Sequence, residues 1–234
     1  MTILIDLWLA LSVIAVLWIA SDCRARPQHM RIMDVTWPLT GLYFGPLALW
    51  FYHRLGRAPE KSHQHHHHHQ HHQHEHHHHG HDHDRGQAVS ARSTFVSTTH
   101  CGGGCALGDL IGETLVGLLS LTLFGSALVA GWTLDFVLAF GLGIVFQYLS
   151  IRPMNPDMPP AQALREALKA DTFSIVAFEI GMFAIMGLRA FVAPGLTIGD
   201  GAFWLWMQGA MVAGFATSFP ANWLLVRLGV KQAM

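Results

Sequence analysis

The sequence predicts an all-α protein, a polytopic membrane helix bundle of about six transmembrane helices interrupted by one disordered histidine-rich loop. Three observations carry this. Of 234 residues, 51% are hydrophobic and only 12% are charged, about half the roughly 25% charge of ordinary soluble domains. Six apolar runs are long enough for a hydrocarbon core of roughly 30 Å, where a backbone must satisfy its own hydrogen bonds and so becomes helical. And 15 of the 18 histidines fall between His63 and His83, in a stretch without apolar periodicity.

The first run, 3–20, has no basic residue before it, is interrupted by Asp6, and is followed by Ser21-Asp22-Cys23, a poor cleavage site, so it reads as a retained span rather than a signal peptide. The second, 35–52, carries Pro38 and Pro46. Segment 57–99 cannot bury enough surface to offset chain entropy and is expected to be a disordered loop. Four further runs follow at 107–132, 134–151, 173–192 and 202–228. Between the fourth and fifth, Pro153, Pro156, Pro159 and Pro160 predict an extended stretch, and 161–169 a short interfacial helix. The chain thus divides into helices one and two (1–56), the histidine-rich loop (57–99) and a four-helix transmembrane region (100–234) entered through Cys101-Gly-Gly-Gly-Cys105.

Orientation follows from Lys and Arg. With the N-terminus inside and six crossings, ten of the fourteen lie on cytoplasmic segments, which puts both termini in the cytoplasm. Arg24, Arg26 and Arg31 in the first loop fit this poorly. They support an alternative in which 35–52 is re-entrant and the N-terminus lies outside. Either way the histidine tract and the C-terminal end are cytoplasmic.

A net charge of -1 offers no basic field for nucleic acid, and three cysteines cannot form a fully paired disulfide scaffold. No nucleotide-binding motif is present, so any transport is ion-coupled or passive. The chemistry lies in imidazole, thiol, carboxylate and thioether groups. The tract, with its runs His65, His66, His67, His68, His69 and His76, His77, His78, His79, offers many interchangeable imidazole sets for divalent metals and selects none of them. Selectivity is expected at Cys101 and Cys105, soft ligands for Cu(I) or zinc, with His100 as a third ligand. The spacing continues helically: Cys101, Cys105, Asp109 and Glu113 share one face, and Gly104, Gly108 and Gly112 form a small-xxx-small packing stripe beside it.

Counted from a start at 107, Glu113 lies about 9 Å deep, and Glu179, counted from an entry at 171–173, about 9–12 Å deep. With Gln147 they are expected at one level as a cation or proton site, or as a hydrogen-bonded cluster holding helices together. Apart from Met1 and Met234, the methionines come in pairs one helical turn apart, among them Met182 with Met186 and Met207 with Met211. Thioethers favour Cu(I), although methionine also fills gaps in apolar cores.

Residues 33–46, including Trp37, Pro38, Tyr43 and Pro46, the block 101–113, and 220–231 from Pro220-Ala-Asn222-Trp223 to Gly229-Val-Lys231 resemble the bacterial membrane-protein family described as domain of unknown function 4396. The resemblance implies a small multi-spanning protein of the bacterial inner membrane and no settled activity. The functional expectation therefore rests on the residues. It is a non-enzymatic protein that binds and transports a transition-metal ion, Cu(I) ahead of nickel, cobalt or zinc, with the bilayer and metal ions as partners and homo-oligomerisation left open. A non-transporting metal-binding or sensor protein, and a membrane dithiol enzyme using Cys101 and Cys105, are the alternatives.

Overall fold

A computed structural model describes residues 2–28, 30–58 and 90–231. They form α1 (Thr2–Ala25), α2 (Met33–Phe44), α3 (Leu47–Phe51), a π-helical turn (Tyr52–Gly56), α4 (Ala91–Leu119), α5 (Ala127–Met154), α6 (Pro160–Val192) and α7 (Gly201–Arg227). The result is an all-helical bundle. Five helices, α1 and α4 to α7, are long and apolar enough to cross a membrane.

The second predicted span does not cross. Gly45 takes φ 58° after α2 and Pro46 follows it, so the helix breaks there, and the 12 residues of α2 rise only about 18 Å. The chain then doubles back. The Tyr52 ring lies 5.7 Å from that of Trp37 near the start of α2, and Tyr52 donates to Asp22 near the end of α1 at 2.9 Å. Arg57 donates to both Asp22 oxygens at 2.9 and 3.0 Å. Both ends of the segment therefore sit beside the end of α1, as a re-entrant hairpin requires, which leaves five helices long and apolar enough to cross in place of the expected six.

The third span begins at Ala91, not at 107. Ser90 caps it by accepting from the Ser93 backbone N–H at 3.0 Å. Residues 91–106 are too polar for a lipid-facing helix, but α4 is central and more than half of its apolar stretch is buried, so its surface meets protein. Thr94 and Thr98 donate to the carbonyls of Ser90 and Thr94, satisfying hydroxyls locally. Residues 91–99 are thus helical rather than loop, and 59–89, with the histidine tract, lie outside the described residues. The turn expected at 133 falls instead at 120–126. Ser120, Phe124 and Gly125 take φ of 51°, 52° and 76°, and Ser126 caps α5 by accepting from Val129 N–H at 3.3 Å. Leu121, Leu123 and Phe124 hid this turn inside an apolar run. The expected interfacial helix and the fifth span are one continuous α6.

Helix α1 runs parallel to α7. Trp8 Nε1 donates to Gln208 Oε1 at 2.8 Å and Asp6 lies against Gly201, whereas Lys231, beyond the other end of α7, meets Asp171 in α6. Thr2 and Lys231 therefore lie at opposite ends of the bundle. Two termini on one face, as six crossings required, do not fit five. Eleven of the described Lys and Arg residues, from Arg24 to Lys231, gather at the end where α1 finishes, and Arg189 lies at the opposite, far end.

Candidate functional site: a buried polar file along α4

The predicted four-residue stripe forms. Cys101, Cys105 and Asp109 are fully buried and Glu113 nearly so. The neighbouring glycines bring α4 against α5. A Cβ on Gly104 would stand 2.9 Å from Gly143 Cα, one on Gly108 2.6 Å from Ala139 Cα, and one on Gly112 3.1 Å from Asp135 N, so the two backbones touch as small-xxx-small packing requires. Helix α5 answers with the same spacing in Gly131, Asp135, Ala139, Gly143 and Gln147. Gly131 leaves room for Glu113, whose Oε1 lies 3.1 Å from where its Cβ would be.

The file starts at the basic end. Lys231 Nζ donates to Asp171 Oδ1 at 2.6 Å and to Asn222 Oδ1 at 2.9 Å. Asn222 in turn donates to Ser218 Oγ at 3.0 Å, and Ser218 to the Ser174 carbonyl. Ser174 donates to Asp171 Oδ1 at 3.3 Å, and its Oγ lies 3.4 Å from Cys101 Sγ. The Cys101 and Cys105 thiols face one another, and Cys105 faces the Glu179 carboxylate. Glu179, Asp109, Asp135 and Glu113 then lie close enough to feel one another's charge, and Glu113 meets the field of Arg189 at the far end. Both oxygens of Asp109 are buried without a hydrogen-bond partner, and Asp135 and Glu179 are buried with only the Glu113 carboxyl and the Cys105 thiol beside them. Intramembrane carboxylates left this way are costly and point to function.

A cavity opens beside each end of the file. Near the basic end, one of about 400 Å³ is lined by Met30, Arg31, Ser150 and Met154 among others, and Ser150 Oγ stands 2.7 Å from His100 Nε2. Near the far end, one of about 450 Å³ is lined by Glu113, Ser120, Thr122 and Arg189 among others.

Several sequence expectations change depth. Cys101 is not at a mouth but ten residues into α4, about 15 Å along the helix. Glu113, six residues before the end of α4, is about 9 Å from the far end rather than the near one. Glu179 lies mid-helix, with Cys105 and Asp109, and so is not level with Glu113. Gln147, one turn past Gly143, sits nearer the basic end than either. Two misplaced helix starts explain these: the polar start of α4 was read as loop and the start of α6 as a separate interfacial helix, so depths were counted from 107 and 173 instead of from Ala91 and Pro160.

His100 does not join the thiols. It bonds Ser150 on α5 while Cys101 contacts Ser174 on α6, because consecutive helical residues diverge by about 100°. Among the described residues, no three His, Cys, Asp or Glu side chains form a group able to hold a metal ion. The soft donors do gather. Met182, Met186, Met207 and Met211 are all buried and belong to the same contiguous apolar cluster as Cys101 and Cys105.

Asp135, Asp171, Ser174, Arg189 and Lys231 were not among the candidate site residues of the sequence analysis. The signal for Asp135 was present in the four-residue spacing of Gly131, Asp135, Ala139 and Gly143, which mirrors the glycine stripe of α4. That for Asp171 lay in Ala163, Ala167 and Asp171, the buried face of α6. Lys231 carried no such signal, since its burial depends on the turn at Gly229, φ 70°.

Neither a curated protein nor a solved structure matches the chain. The model of the family described as domain of unknown function (DUF4396) matches residues 90–231, more than half of the chain and the whole file from Cys101 to Lys231, and the chain therefore belongs to that family.

Proposed function

We propose that the protein binds and transports a transition-metal cation across a bacterial inner membrane, with Cu(I) ahead of nickel, cobalt or zinc as the cargo. One observation carries the reading: a buried file of polar side chains runs along α4 with two thiols in its middle and a cavity near each end of the bundle, and four buried thioethers belong to the same apolar cluster as the thiols. Two sulfur ligands with thioethers at hand suit a soft monovalent ion better than zinc, which takes four ligands in closed sites. The vestibule methionines Met30 and Met154 extend the soft route outward.

The basic end faces the cytoplasm, by the excess of Lys and Arg there, so the N-terminus lies outside and the histidine tract inside, where it collects ions without choosing among them. A thiol must lose its proton to ligate a metal. When Cu(I) binds Cys105, the Sγ–H bond breaks, the Cu–S bond forms, and the proton passes to the adjacent Glu179 carboxylate. Asp109 and Asp135 beyond it then carry protons or the cation toward Glu113. This couples metal entry to proton movement without a nucleotide.

The test is the Cu(I) content of purified full-length protein against two variants, deletion of 63–83 and Cys101→Ser/Cys105→Ser. Retention after tract deletion and loss in the double serine variant supports the reading. Full retention in the double variant overturns it.

A further inference from the structure

We infer that the Lys231 ammonium is a tethered cation that fills an entry site formed by Asp171 and Asn222, and that its withdrawal opens the file to monovalent cations from the basic end. Lys231 and Asp171 are both wholly buried as side chains, yet Gly229 and Val230 just before Lys231 are exposed. The side chain is thus inserted from the surface, after a turn in which the Val230 and Lys231 N–H groups both return to the Leu225 carbonyl.

The ammonium has the ligands a bound cation would want: Asp171 Oδ1 at 2.6 Å and Asn222 Oδ1 at 2.9 Å. The second oxygen, Asp171 Oδ2, is buried and makes no hydrogen bond, so the carboxylate holds unused capacity. Behind it only Ser174 separates the pair from a thiol, with links of 3.3 Å to Asp171 Oδ1 and 3.4 Å to Cys101 Sγ. On the path from the surface at Gly229 and Val230, which is separate from the Met30–Met154 cavity, Lys231 is therefore the first polar group on the way to Cys101. Asn222 is held in place by its own donation to the Ser218 carbonyl and hydroxyl, both at 3.0 Å, so the site keeps its oxygens when the lysine leaves.

A structural ion pair of the same geometry would only hold α6 to the segment after α7. The latch differs in that removing the ammonium, with its oxygens left in place, admits a small solute to Cys101 and nowhere else. It rests on the transport reading for the identity of the cargo but not for its test.

The experiment labels detergent-solubilised full-length protein with N-ethylmaleimide and follows Cys101 and Cys23 separately by peptide mass spectrometry, comparing wild type with Lys231→Ala and Lys231→Gln. Cys23 reports on the fold, since it lies in a separate cluster with Trp37 and Tyr52. The latch predicts Cys101 labelling faster by on the order of a hundredfold in both variants, the scale set by breaking one side of a buried pair, with Cys23 unchanged. Unchanged Cys101, or parallel acceleration of Cys101 and Cys23, overturns it. Opened labelling together with absent metal binding would refute the transport reading and leave the latch standing.

Discussion

Replacing Gly108 by alanine should drive α4 away from α5. The new Cβ would stand 2.6 Å from Ala139 Cα, against roughly 3.5–4.0 Å for an unstrained carbon contact, so the backbones must separate by about 1 Å. Overpacking of this kind costs about 1–3 kcal/mol. It is partly offset by the roughly 1 kcal/mol that alanine gains over glycine in a helix. Gly209 in α7 supplies an internal control, because a Cβ there meets nothing within 4 Å and only the propensity gain remains. The two alanine variants should therefore differ by about 2 kcal/mol in stability, Gly108→Ala falling below wild type and Gly209→Ala at or above it. Unfolding in mixed micelles with rising dodecyl sulfate, followed by circular dichroism, measures the difference. Equal stability of the two variants would refute close backbone contact between α4 and α5, and with it the alignment of Asp109, Glu113 and Asp135.

The five-span topology predicts that a reporter fused before Thr2 is exported while one after Lys231 stays in the cytoplasm; two cytoplasmic reporters would restore the six-span count. Asp22→Asn weakens the tie of the re-entrant hairpin to α1, and because Arg57 is about one-third exposed at 31% the loss should be modest, about 1 kcal/mol, visible as a lower thermal midpoint together with faster labelling of Cys23. Asp200 accepts from the Thr197 N–H and hydroxyl at 2.8 and 2.9 Å, and these bonds hold its carboxyl below the usual carboxylate range. Its contribution is fully present above the unfolded value of about 3.9 and disappears as pH falls through the lower folded value. The wild type should accordingly lose stability on acidification over that window, relative to Asp200→Asn, as seen in paired thermal melts.

What the sequence revealed and what it hid divide along one physical line. Helices that face lipid announce themselves, so α1, α6 and α7 were legible from apolar runs such as 3–20 and 202–228. Helix α4 faces protein on most of its surface, so Thr94, Thr98 and His100 could replace apolar residues, and hydropathy alone misread its first sixteen residues. The periodic part of the same helix was legible because Cys101, Cys105, Asp109 and Glu113 repeat at the helical period whatever surrounds them, as do the glycines that seat it on α5. Depth was not legible, since it depends on where a helix begins. Nor were partners across helices: the approach of Lys231 to Asp171, sixty residues apart, follows from packing that no local pattern encodes. The hairpin break at Gly45-Pro46 was visible as an option and needed the Tyr52 contact with Trp37 to be decided.

Conduction of a soft cation along the α4 file is read out by Ag(I) uptake, as a Cu(I) surrogate, into liposomes holding the full-length protein. Wild type should show saturable uptake, abolished in Cys105→Ser and in Glu179→Gln while both variants remain folded. No uptake above protein-free liposomes by wild type, or uptake undiminished in both variants, would contradict it.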